Sequence, residues 1–148
     1  MTSKNDPFFV LLNEIGIISQ LAQSAFERVM PAGMTMAQFI VLNHFHRLGI
    51  AAKAPAELAR AFQLTKATMT STLHRMERKG LLEIMPDPGD GRAKRVSVTQ
   101  MGQAMHQACL EALSPKLAEW RDLLTDIPID EVLPTLVRLR TTIDKARA

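Results

Sequence analysis

LTKATMTSTLHRMERKGLL, residues 64–82, decides the fold, and DPGDGRAKRVSVT, residues 87–99, follows almost at once. At 100° per residue, Met69, Thr72, Leu73 and Met76 gather on one face of a helix. Ala67, Thr70, Ser71, His74 and Arg78 gather on the opposite side, with Thr68 and Arg75 on its flank. The first set is a core stripe. The second is small at its N-terminal end and longer and more basic further along. A helix enters a major groove only when its leading side chains do not hold it away, and Ser, Thr, Arg and Lys all bond phosphates or base edges. Thr65 is a natural N-cap, and the exposed amides after it favour a nearby phosphate. Taken alone, an ordinary amphipathic surface helix with solvated charges is the simpler reading.

The flanking residues reverse that preference. Upstream, APAELARAFQ (residues 54–63) has Pro55 in a first helical turn and an apolar stripe of Leu58, Ala59 and Phe62. Gln63-Leu64-Thr65 then makes a short turn, which gives the helix-turn-helix layout with the second helix as the reader. Downstream, Gly80 fits a helix C-cap, with Arg78 and Lys79 in the last turn. Leu82 and Ile84 alternate with Glu83 and Met85, and Val96 and Val98 with Arg95 and Ser97, so two strands are expected. Asp87 to Gly91 supply the turn between them. Such a hairpin is a wing, whose Arg92 and Lys94 would reach a minor groove or its phosphates.

The run from about Glu57 to Gly102 resembles the winged helix of the MarR family of bacterial transcription regulators. ELARAF, the 64–82 helix, DPGDGRAKRVSVTQMG and the MAQFIVL helix at 36–42 fall in that family's order. The resemblance implies a mainly α fold with a small β-hairpin wing, flanked by long N- and C-terminal dimerisation helices. It implies one domain over residues 1–148, with a winged-helix lobe at about 35–98 and dimerisation helices at about 6–30 and 99–147. The implied partners are double-stranded DNA carrying a pseudo-palindromic operator, a second copy of the chain, and a small aromatic or lipophilic effector. Four positions depart from the family pattern. Gly91 precedes Arg92 where the wing tip often has two arginines, and Ser71 stands where the reading helix often carries Arg. Ala54 replaces a common capping Ser or Thr, a loss of roughly 1 kcal/mol. Pro115 interrupts a long helix and is expected to kink or split it near Ser114.

Charge is placed where a DNA footprint requires it. The net charge is +3, and between Arg60 and Arg95 eight Lys or Arg face four Asp or Glu, a net of +4 that leaves −1 elsewhere. No apolar run approaches the roughly 18 residues of a membrane span, and no secretory signal pattern opens the chain. A single cysteine excludes an internal disulfide. A cytoplasmic protein is expected.

The outer thirds carry apolar surface. Asp6-Pro7 opens a helix, and residues 8–30 are apolar around more than one stripe. Thr99 caps a helix through Met105, Cys109, Leu113 and Trp120, and a last helix starts at about Asp130. Pooling these helices from two chains is preferred over a monomeric helical core, because a two-fold dimer spaces two reading helices about one DNA turn apart.

Candidate chemistry elsewhere is thin. Cys109 sits among apolar residues with no adjacent cation, so a buried, inert thiol is expected rather than a redox sensor. His44, His46 and His106 lack helical i, i+4 ligand spacing, and the nine methionines read as core filler. No phosphate loop, nucleophile motif or ligand cluster is present, so neither an enzyme nor a cofactor or metal is expected. The expected mechanism is repression by a homodimer occupying promoter DNA. Thr65 and Lys66 would hold phosphates. Thr68, Thr70, Ser71, His74 and Arg75 would contact base edges or nearby phosphates. Arg92 and Lys94 would secure the flanks, and Asp90 would orient the wing by pairing with a neighbouring Arg. The alternative is a winged-helix dimer that binds another protein without specific DNA binding.

Overall fold

The computed structural model describes residues 3–147. Six helices and one hairpin follow in the order α1 (Pro7–Glu27), α2 (Met36–Leu48), α3 (Pro55–Ala61), α4 (Lys66–Arg78), β1 (Leu82–Asp87), β2 (Asp90–Val98), α5 (Gln100–Leu123) and α6 (Ile129–Ala146). The fold is mainly helical with one antiparallel β-hairpin. Two compact units are distinguishable, one ending at Ser114 and one beginning at Pro115.

The buried core lies within the first unit. Phe39, Val41, Leu42 and Phe45 of α2 join Leu58 and Ala59 of α3, Met69, Leu73 and Met76 of α4, Leu82 and Val96 of the hairpin, and Cys109 and Leu113 of α5. Burying a Leu or Met of this kind contributes roughly 1.5–3 kcal/mol. The stripe read from the 64–82 sequence is therefore the packed face of α4, with Thr72 half-buried at its edge. Met34, Met36, Met69 and Met76 fill this core.

Local chemistry sets the helix ends. The Asp6 carboxylate accepts the Phe8 and Phe9 amides at 2.8 and 3.4 Å, and Pro7 follows in the first turn of α1. Thr35 caps α2 by accepting the Gln38 amide at 3.2 Å. Ala54 has no capping side chain, but Glu57 Oε1 accepts the Ala54 amide at 3.2 Å and supplies half of a capping box. That hydrogen bond is the main cause of a Glu57 carboxyl held below its ordinary range, with Lys53 Nζ at 3.2 Å adding to it. α4 ends in a Schellman motif, in which Gly80 takes φ +78°, its amide reaches the Glu77 carbonyl at 2.9 Å and the Leu81 amide reaches Met76 at 3.0 Å. Thr99 caps α5, accepting the Gly102 amide at 3.0 Å and donating its hydroxyl to the Gly80 carbonyl at 2.5 Å.

α5 runs unbroken from Gln100 to Leu123 with Pro115 inside it. Of the kink or split expected near Ser114, the split does not occur. The boundary between the two compact units nonetheless falls at this proline. Pro128 stands at the N-cap of α6 and Pro134 lies inside that helix, just past its first turn.

α1 and α6 contribute no buried residue. On α1, Phe8, Phe9, Ile18 and Leu21 stand about half or more exposed, up to 64% at Leu21. Averaged over its length, α1 is long and apolar enough to cross a membrane, which qualifies the expectation that no segment approaches a span. Polar residues interrupt it at Asn13, Glu14, Ser19, Gln20, Gln23 and Ser24.

Candidate nucleic-acid interface

The α4 surface opposite the core stripe is open. Lys66, Ala67, Thr70, Ser71, His74 and Arg78 line one shallow depression along it. The structure thus brings Lys66, Thr70, Ser71 and His74 onto one face, while Thr68 and Arg75 stand exposed on its flank. Arg78 belongs to the same face. It was not among the expected contact residues, although its i, i+4 relation to His74 already placed it there.

Thr65 is the N-cap of α4 and accepts the Thr68 amide at 3.1 Å. Its hydroxyl also donates to Thr68 Oγ1 at 2.8 Å. Most of the bonding capacity of Thr65 is thus spent inside the first turn, whereas the Thr68 hydroxyl hydrogen stays free to donate outward. The turn before it is sharp. Gln63 adopts φ +57°, the left-handed region that a residue with a Cβ occupies only at some cost. The Leu64 amide then returns to the Ala59 carbonyl at 2.9 Å.

The wing is fixed at its root and irregular at its tip. Leu82 pairs with Val98, Ile84 with Val96 and Met85 with Arg95, down to Pro86 with Lys94. Asp87 then pairs with Asp90, so residues 91–93 form a bulge on β2 and Arg92 lies at its centre. The expected turn at Asp87–Gly91 is in fact the Pro88-Gly89 turn followed by this bulge. Asp87 Oδ1 accepts the Gly89 amide at 2.8 Å, and Asp90 Oδ1 accepts the Arg92 amide at 3.0 Å. Asp90 therefore acts on the backbone of Arg92, in place of the side-chain pairing expected from sequence. Arg92, Lys94 and Arg95 are exposed. At the root, Lys53 exchanges two backbone bonds with Val96, at 2.9 and 2.7 Å, as an isolated antiparallel bridge. Glu77 Oε2 accepts the Ile84 amide at 3.1 Å, tying the hairpin to α4.

A second concavity lies between the end of α2 and the start of α5, lined by Leu42, Phe45, His46, Val98, Gln103, His106 and Gln107 among others. His106 is buried, stacks on Phe39 at 5.7 Å, contacts the His46 ring at 4.4 Å and shares a 3.0 Å hydrogen bond with Asn43 Oδ1. Burial chiefly, with His46 adding charge, lowers its pKa below the ordinary histidine value. His44 instead meets Phe62 edge-on at 4.9 Å, and burial also lowers its pKa, aided by Arg47 and Lys53. Among the described residues no three His, Cys, Asp or Glu side chains are grouped to hold a metal. Burial raises the pKa of the Cys109 thiol, which keeps it protonated and unreactive.

A lowered histidine pKa has a defined sign. Folded His106 stays neutral where the unfolded chain, with a pKa of about 6.5, takes up a proton. Stability is intact above that value and falls as pH drops below it toward the folded pKa. Melting scans of wild type between pH 7 and 5 should show a falling Tm, and His106→Gln should flatten part of that decline. An unchanged slope in the variant would remove His106 as a cause.

A short helix pair with a sharp turn, an open second helix and an attached hairpin define a winged helix-turn-helix protein. The sequence profile of the MarR family matches residues 32–93, from the turn before α2 to the wing. Over that stretch the chain is similar to the MarR family. It is 28% identical to the transcriptional activatory protein BadR of Rhodopseudomonas palustris, over 99% of this chain and 82% of that protein. It is 26% identical to the HTH-type transcriptional regulator PecS of Dickeya dadantii, over 82% of this chain and 73% of that protein. Among solved structures, a mutant MarR from E. coli complexed with operator DNA superposes with a TM-score of 0.72 at 25% identity, covering 95% of this chain and 99% of that one.

Proposed function

We propose that this chain is a homodimeric, sequence-specific DNA-binding regulator that represses by occupying promoter DNA. The observation that carries the reading is the outer face of α4, small at its N-terminal end, polar and basic further on, and left open beside a wing with exposed cations. A resemblance to a relative bound to operator DNA supports it. Lys66 is assigned to phosphate at the start of the helix, and Thr68, Thr70, Ser71, His74 and Arg75 to base edges or adjacent phosphates. Thr65 is assigned to the same phosphate through its backbone amide, because its hydroxyl is engaged with Thr68. Arg92 and Lys94 are assigned to the flanks, with Asp90 holding the bulge that presents Arg92. The sign of regulation follows from operator position. BadR, named an activatory protein, is a relative in which that sign is reversed.

The second copy would cover the exposed apolar surface of α1, from Phe8 to Leu21. Such surface is more than a soluble monomer ordinarily exposes, and the polar interruptions of α1 suit a helix packed on protein in the cytoplasm better than one in lipid. A small aromatic or lipophilic effector would occupy the concavity between α2 and α5. Phe45 and Leu42 offer it apolar walls, and His46, His106, Gln103 and Gln107 offer polar anchors.

The test is a titration of the protein against duplex DNA from upstream of its own gene and against a scrambled duplex, at two salt concentrations. Selective binding that falls steeply with salt is expected, because phosphate contacts release counterions. Arg92→Ala should weaken binding to both duplexes and lower the salt slope by about one, whereas Ser71→Ala should change preference between them. Absence of binding to either duplex at low salt would overturn the reading in favour of a protein-binding winged helix. An unchanged slope for Arg92→Ala would remove Arg92 from the interface.

A further inference from the structure

We propose that Lys79 is a positioning residue, whose ammonium pins the C-terminal end of the reading helix to the turn between α1 and α2. This rests on the DNA-binding reading of α4 given above. By sequence Lys79 belongs to the basic run of Arg75, Arg78 and Lys79 that gives the lobe its positive charge, and charge counting would assign it to a phosphate. The geometry assigns it elsewhere. Nζ donates to the Gly33 carbonyl and, at 2.7 Å, to Gln38 Oε1.

Both acceptors are themselves held. Gly33 sits at φ +83° in a turn closed by the Met34 amide on the Pro31 carbonyl at 3.0 Å. Gln38 is 5% exposed, and its own amide donates to the Thr35 cap of α2. An ammonium has three donors and no acceptor, so two of the three are committed inward. Lys79 is also the C-cap of α4 and immediately precedes the Schellman turn that leads into β1. One side chain therefore joins the end of the reading helix, the start of the wing and the segment that follows α1. A rotation of α1 relative to the lobe, such as a change in dimer geometry would bring, reaches α4 through this joint. Most basic residues of the lobe meet the phosphates as solvated charges; Lys79 sets where the others lie.

The experiment compares wild type, Lys79→Met, Gln38→Leu and the double variant on operator and scrambled duplexes across a salt series. Losing a charge-assisted hydrogen bond shifts an equilibrium by roughly tenfold or more. The expected result is that loss in operator binding for Lys79→Met, with the salt slope and the scrambled-duplex affinity at wild-type values. Gln38→Leu should lose less than Lys79→Met, and the two should be non-additive. A lower salt slope and equal weakening on both duplexes, the pattern expected of Arg92→Ala, would overturn the proposal and make Lys79 a phosphate ligand. The clamp is also read without DNA. A double-mutant cycle on Lys79 and Gln38 in urea should show coupling, and additivity there would sink the clamp whatever the DNA result. Coupling in urea together with a wild-type protein that binds neither duplex would sink the DNA reading alone.

Discussion

Gly102→Ala should melt roughly 10 °C below wild type, a loss of about 3 kcal/mol or more for a chain of this size. Gly102 lies in the first turn of α5, and a Cβ built there would stand 2.1 Å from the Leu81 carbonyl oxygen and 2.7 Å from Val98 Cγ1. Val98 can yield by a rotamer change. The carbonyl cannot, because it accepts the Thr99 amide at 3.1 Å, and the next carbonyl upstream, that of Gly80, accepts the Thr99 hydroxyl. Leu81 and Leu82 are both 2% exposed, so the strand cannot back away without opening the core. The expected effect falls on the wing root as well as on the Tm. Amide exchange at Ile84 and Val96 should speed up more than at Leu42 in α2. A variant that melts with wild type would show that α5 shifts freely against Leu81.

Leu21→Glu combined with Ile18→Glu should dissociate the proposed homodimer and cut operator affinity by roughly 10²- to 10⁴-fold, because a second half-site would then no longer be bound intramolecularly. Both side chains stand more than 60% exposed on α1, at 64% and 61%, so their replacement costs the isolated fold little. In a dimer packed on that face the same carboxylates would be buried without partners, which is strongly unfavourable. Sedimentation should show one chain per particle and circular dichroism unchanged helix content. A double variant that remains dimeric and binds operator normally would place the dimer contact elsewhere.

The parts of this fold legible in sequence are those specified by neighbours a few residues apart. The caps at Asp6, Thr65 and Thr99, the Gly80 C-cap and the Met69-Leu73-Met76 stripe depend on helical geometry and local donors. The two strands follow from the alternation over residues 82–85 and 95–98 in the same way. What escaped is set by distant partners. Nothing near Lys79 announces that its ammonium meets Gly33 and Gln38, residues more than forty positions upstream. The Lys53–Val96 bridge and the Gly102–Leu81 approach are likewise tertiary facts. Thr35 as the α2 cap was readable and was missed, its signal being a lone Thr before an apolar run. Pro115 was read from the backbone rule alone, and the helix absorbs it. On the outer face of α4 the spacing grouped Ala67, Thr70, Ser71, His74 and Arg78, and these line one depression with Lys66.

The wing is a cantilever. Its root is gripped on three sides, by Lys53 across β2, by Glu77 beneath Ile84 and by Leu81 against Gly102. Its tip beyond Pro86 is braced by the Asp87–Asp90 pair and by those two aspartates bonding to the backbone beside them. Bending is expected to concentrate at the bulge that carries Arg92, with the inner strands held by the root contacts. With Arg92 in its proposed place, a beam stiff at the wall and compliant at the end would tolerate DNA whose groove width varies from one site to the next.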